Sequence, residues 1–192
     1  MTENFSIDSS EPLAYIKICN HLFSEIKPII LENRPIIFVC VGSDRSTGDS
    51  LGPLIGYKLK HICKDNIHIY GSLESPIHAK NLSDTLDKIN SVFKHPYIIA
   101  IDSCLGKINN IGKIYINKKP LNPGLALNKQ LPAVGDMSIL GIVNISGSFE
   151  FLVLQNTRLS MVMQLADIIS KGIYHFILKS NKSNACDNLI DL

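Results

Sequence analysis

The stretch IIFVCVGSDRSTGDSLGPLIG, residues 36–56, decides the fold. It opens on a continuous apolar run rich in β-branched residues, with none of the polar alternation of a strand that has one wet face. Such a run suits a strand covered on both faces in a parallel sheet. A polar, Gly/Ser-rich loop (42–50) follows, and then a helical pattern, LGPLIGYKLKHIC, whose Pro53 is tolerated in a first turn. Strand, loop and helix in that order open a doubly wound α/β protein, in which ligands bind outside the carboxyl ends of the strands. Asp49 stands in that loop.

Outward from this unit the pattern repeats. IHIYG (67–71) reads as a second strand, a loop runs through His78, and a helix follows near Leu82–Phe93. YIIAID (97–102) is a third strand that closes on Asp102. The alternation predicts a mostly parallel sheet with right-handed crossovers. Upstream, residues 11–33 carry apolar positions at helical spacing, with Pro28 expected to kink or end the helix, and residues 1–10 read as a loose leader. Downstream, IGKIYIN (111–117) reads as a strand antiparallel to its neighbours. Residues 118–138 hold three prolines and two glycines and form a long loop, of the kind that serves as a lid or binding segment or else is disordered. ILGIVNIS and FEFLVLQ supply one or two more strands. A helix from Thr157 to about Leu178 is expected to be capped by Asn156 or Thr157. The tail, 180–192, reads as loosely ordered. With no internal repeat and no linker, the expectation is one α/β domain over residues 1–192.

A chain of 192 residues can bury a sizeable core without disulfide support. The formal net charge of +2 and scattered lysines argue against a nucleic-acid binder. The longest apolar stretches fall short of the ~20 residues of a spanning helix. The polar start, MTENFSIDSSEP, lacks the layout of a secretion signal. Cys19, Cys40, Cys63, Cys104 and Cys186 are widely spaced with no C-x-x-C, a pattern that fits reduced thiols in a cytoplasmic protein better than disulfides or a zinc site. The pattern leaves the oligomeric state open.

If strands two and three flank strand one, their crossovers leave on opposite faces and open a crevice between the loops that follow. Asp49 and Asp102 would both border it. Two carboxylates at close range do not easily ionise together, so one proton is shared. The ionised member can activate a water while the protonated member polarises a carbonyl. The following helix N-terminus would bias Asp49 toward the ionised, basic role. The simpler alternative is that Asp49 or Ser50 caps that helix and Asp102 caps its own successor. Gly42, Ser43, Asp44, Arg45 and Gly48 make the loop a candidate anion or substrate cradle, although it matches neither a P-loop nor G-x-G-x-x-G. His78 is the histidine best placed to reach the crevice, and Asp136 in PAVGDMS is a carboxylate that a lid could deliver. Cys104 lacks an adjacent base for nucleophilic work. Metal-assisted hydrolysis through Asp49, Asp102 and His78 is a further alternative; otherwise no cofactor is expected.

GSDRSTGDSLGPLIG, ESPIHAKNL, AIDSCLG, LPAVGDMSILGIVN and FLVLQNTRLSMVM together resemble the YyaC-type sporulation proteins, over most of residues 34–172. That family is similar to the spore germination protease and, more remotely, to the hydrogenase maturation endopeptidases. TGDSLGP and IDSCLG match the two aspartate-bearing elements of the germination protease, and PGLALNK (123–129) resembles its Pro-Gly-rich loop. The resemblance implies a three-layer α/β/α sandwich of the phosphorylase/hydrolase-like kind and a protein or peptide substrate. It further implies catalytic roles for Asp49 and Asp102, and the cytosol of a mother cell or forespore; the alternative reading is a catalytically silent binding or assembly protein on the same fold.

Overall fold

A computed structural model of the chain describes residues 5–62, 66–123 and 133–187. The strands are β1 (Phe5–Asp8), β2 (Ile36–Cys40), β3 (Ile67–Tyr70), β4 (Tyr97–Gly106), β5 (Lys113–Asn117) and β6 (Met137–Ile145). The helices are α1 (Ala14–Leu31), α2 (Leu51–Leu59), α3 (Leu82–Val92), α4 (Glu150–Gln155) and α5 (Leu159–Asp187). All six strands form one sheet in the order β1-β5-β6-β4-β2-β3. β3, β2, β4 and β6 run parallel, while β5 is antiparallel to both β6 and β1. The mostly parallel sheet, the flanking of β2 by β3 and β4, and the antiparallel β5 all follow the sequence expectation.

Every side chain of β2 is buried, because helices cover both faces of the sheet. On one face α1, α2 and α5 pack through Ile18, Leu22, Leu51, Ile55, Leu165 and Phe176. On the other, Leu82 and Ile89 of α3 pack with Leu121 and Val134 over Ile37 and Val39. The result is the α/β/α sandwich. By length and hydropathy Leu159–Ser180 would reach across a bilayer, yet half of that window is buried, which is the use of a core helix.

The structure corrects several local expectations. Residues 5–8 belong to the sheet: Ile7 is buried, Phe5 stacks on His21 at 4.2 Å, and β1 pairs with β5. Pro28 lies inside α1, which continues to Leu31. The helix stops where Asn33 turns left-handed (φ 51°), with the Asn33 amide donating to Ile30 O and the Arg34 amide to Ile29 O, the closing pattern of a Schellman turn. FEFLVLQ is not a strand: its last six residues form α4, entered through Phe149 at φ 61°. Thr157 does not spend its hydroxyl on capping α5 but donates it to Val153 O at 2.8 Å. α5 also runs on to Asp187, into the stretch read as a loose tail.

Candidate functional site

Asp49 reaches the end of β2 because the intervening loop folds back on itself. Gly42 takes φ 137° and donates its amide to Ile77 O at 2.7 Å, and the Ser43 amide donates to Asp49 O at 3.0 Å. A Cβ on Gly42 would lie 2.1 Å from Asp49 O, so only glycine permits this approach. Gly48 is constrained less tightly by another neighbour: its Cβ would meet Leu154 O and the Thr157 hydroxyl at 2.9 Å, so the turn after α4 is seated on it. Asp49 itself lies in a 3₁₀ turn, Gly48–Ser50, that leads into α2; neither this turn nor α2 has a side-chain cap. The capping alternative for Asp49 and Ser50 therefore does not hold, and the Asp49 carboxylate is left for other work.

Asp102 is not at the end of its strand. β4 continues to Gly106 alongside β6, but its ladder with β2 stops at Ile101, where the Val41 amide donates its hydrogen bond. Asp102 thus occupies the first position at which β2 has peeled away, the topological switch point of the sheet. Its Oδ1 accepts the Ser103 amide at 2.7 Å. Asp49 and Asp102 line one cavity of about 510 Å³, together with Val41, Gly42, His78 and Leu140.

The two carboxyls are displaced from ordinary behaviour in the same direction and to different degrees. Burial pushes Asp49 up to about 6, with the Ser43 amide pulling the other way. Asp102 is held well above the usual carboxylate range, first by burial and then by the negative charge of Asp49, against the Ser103 amide. The helix-dipole expectation for Asp49 is thus outweighed by desolvation, although Asp49 remains the easier of the pair to ionise. The Cys104 thiol in the same cavity is raised by burial and by the charges of Asp102 and Glu150, which disfavours a thiolate there.

The other expected residues divide. His78 lines the cavity; its Nδ1 accepts the Lys80 amide at 3.3 Å, which leaves Nε2 as the ring atom free to donate. Ser43 builds the loop, its hydroxyl accepting the Arg45 amide. Asp44 and Arg45 are exposed, line no part of the cavity and join none of the described ion pairs. Asp136 is at the wrong end of the sheet. Its amide donates to Ile98 O at 2.8 Å and its carboxylate accepts the Ile98 amide at 2.9 Å, a clamp at the amino ends of β4 and β6. Among the described residues no three of His, Cys, Asp and Glu come together as a metal-ligand set, so Asp49, Asp102 and His78 do not form one.

Sequence reasoning missed Glu150, which enters the cavity from the first turn of α4, and Lys119 and Asn122, which enter from the loop after β5. Residues 119–123 of the long loop read as a lid or binding segment border the cavity; most of PGLALNK, from residue 124 onward, lies outside the described residues.

A family model described as "Protein of unknown function (DUF1256)" matches residues 6–172. The uncharacterized protein YyaC of Bacillus subtilis (strain 168) is 49% identical over 140 residues, which is 73% of this chain and 68% of that protein. Among solved structures, the [NiFe] hydrogenase maturation protease HycI from Thermococcus kodakarensis KOD1 matches with a TM-score of 0.50 at 15% identity, covering 78% of this chain and 99% of that one. At that identity the likeness carries the fold: this chain has a six-stranded, helix-flanked sheet of the maturation-protease kind.

Proposed function

The chain belongs to the DUF1256 family, and on that premise we propose that it is an endopeptidase that cuts a specific protein substrate between Asp49 and Asp102. The observation that carries this reading is the pair itself: two carboxyls, one from the turn before α2 and one from within β4, line one cavity, with the charge of one felt at the other. A maturation-protease-like fold supports a protein substrate by analogy. The resemblance to sporulation proteins and to the spore germination protease supports action in the cytosol of a mother cell or forespore.

In the mechanism, Asp49 is ionised above about pH 6 and takes a proton from water. Asp102 keeps its proton and hydrogen-bonds the scissile carbonyl oxygen, where negative charge develops as the water oxygen adds to carbon. Collapse of the tetrahedral adduct breaks the C–N bond. Asp49 passes its proton to the leaving amine as the C=O bond re-forms, which frees the new carboxylic acid, and Asp102 holds its own proton throughout. His78 and Glu150 orient the segments on either side of the cut.

The test is to label new N-termini in a Bacillus subtilis spore lysate incubated with the chain. The wild type is expected to generate a small set of cleavages that Asp49→Asn and Asp102→Asn abolish. Identical products from all three proteins would contradict an aspartate-pair peptidase.

A further inference from the structure

The sheet stops at β3, but the helical layers reach past it. Gly56, Leu59 and Lys60 at α2, and Asn81, Thr85 and Lys88 at α3, wall a second cavity of about 800 Å³ along the edge of β3. The hydrogen-bond register identifies what forms its floor. The Ile36 amide donates to Asn66 O at 2.8 Å while Ile36 stands opposite Ile67, so Asn66, His68 and Tyr70 turn their main-chain groups toward β2. Alternation then turns the N–H and C=O groups of Ile67 and Ile69 outward, to the open edge. The side chains of the edge are already engaged. Ile67 and Ile69 pack into the core, and His68 and Tyr70 lie against Phe93 at 4.4 and 6.5 Å between ring centroids. Among the described residues no main chain pairs with this row of donors and acceptors at strand spacing, and its complement is another main chain.

One loop borders both this cavity and the candidate active site. Ser75, Pro76 and Ile77 line the edge cavity, while His78 and Ala79 line the cavity of Asp49 and Asp102. Because β3 is parallel to β2, its edge leads toward the sheet end where both aspartates stand.

We propose that this slot takes an extended segment of the substrate protein, added to β3 as a further strand, so that the neighbouring peptide bond is delivered over the Ser75–Ala79 loop to Asp49 and Asp102. That the occupant is the substrate rests on the peptidase reading; the strand-accepting edge does not.

Ile69→Pro deletes an outward N–H and leaves the bonds of His68 and Tyr70 to β2, since proline is tolerated at a strand edge. Ile69→Ala trims the same side chain and keeps the N–H. The probe is a phage-displayed library of random twelve-residue peptides, selected on the full chain carrying Asp102→Asn so that nothing is cut. Selected peptides are expected to bind the Ile69→Ala form like the parent and to lose about tenfold or more on the Ile69→Pro form, the effect of one orphaned backbone hydrogen bond. In the Asp102→Asn parent, hydrogen exchange at the Ile67 and Ile69 amides is expected to slow when peptide is added, a readout independent of how well Ile69→Pro folds. Equal binding to the two Ile69 forms, no enriched peptide, or unprotected edge amides would overturn the proposal. So would a dimer of the chain through this edge that Ile69→Pro dissociates in sedimentation. Peptides that protect the edge leave the slot standing even where the spore lysate shows no cleavage that depends on Asp49 and Asp102, which is the result that contradicts the peptidase. Cleavage of those peptides at an unchanged kcat/KM by an otherwise wild-type Ile69→Pro chain does the reverse.

Discussion

A carboxyl whose proton affinity is raised by folding costs the folded state stability once it ionises. Asp49 moves from an ordinary 3.8 to about 6 on burial. Between those values the native chain holds a proton that the unfolded chain has released, so stability falls as pH rises through that window, and above about 6 the full penalty persists. Asp49→Asn should therefore raise the unfolding free energy measured by urea denaturation at pH 7.5, by on the order of 2 kcal/mol after allowance for partial solvation, and lose that advantage by about pH 3.5. A destabilised Asp49→Asn at pH 7.5 would contradict the assignment. Activity should rise through about pH 6 as Asp49 ionises, and fall again at higher pH once Asp102 gives up its proton; a pH–rate profile of kcat/KM checks both limbs. Both aspartates were legible in the sequence because each follows an apolar, β-branched run that ends at the carboxyl side of a parallel sheet. Glu150 was not. Its neighbours Phe149, Phe151 and Leu152 are all more than half exposed, so the apolar run FEFLVLQ does not mark a buried strand and hides a pocket-facing carboxylate.

At the scale of elements, two loops hold the site and a clamp holds the far end of the sheet. Gly42→Ala would force a side chain to a left-handed φ and into Asp49 O, and should abolish activity or folding. Gly48→Ala displaces the turn after α4 and should cost about 1–3 kcal/mol, which chemical denaturation would measure. Asp136→Ala removes the acceptor of the Ile98 amide at the far end of β4; a loss of about 1–3 kcal/mol with kcat unchanged is expected. A drop in kcat without loss of stability would instead return Asp136 to the site. The central strands could be read from composition alone because burial on both faces leaves little freedom of residue type. β1 could not: FSID is too short to show a period, and what makes it a strand is the β5 edge beside it, a partner more than 100 positions away in the chain. Asp136 misled for a related reason, since a carboxylate near a loop reads the same at either end of a sheet.

Across the whole molecule, the sheet has two edges with different fates. β1 forms one, beyond β5, and Ile7→Ala should cost about 2–4 kcal/mol by emptying that corner of the core, seen as a lowered Tm. β3 leaves the other open between α2 and α3. The switch point between β2 and β4 lies among these elements, and the account stands on what happens there: two carboxyls in one cavity, titrating as a coupled pair that retains a proton near neutral pH. The most direct measurement needs no substrate. It is a carboxyl-carbon NMR titration of the wild type and of Asp49→Asn. Asp49 is expected to titrate near 6 and Asp102 well above the ordinary carboxylate range, with Asp102 shifting downward when Asp49 loses its charge. Two aspartates titrating independently near 4, with Asp102 indifferent to Asp49→Asn, would contradict it.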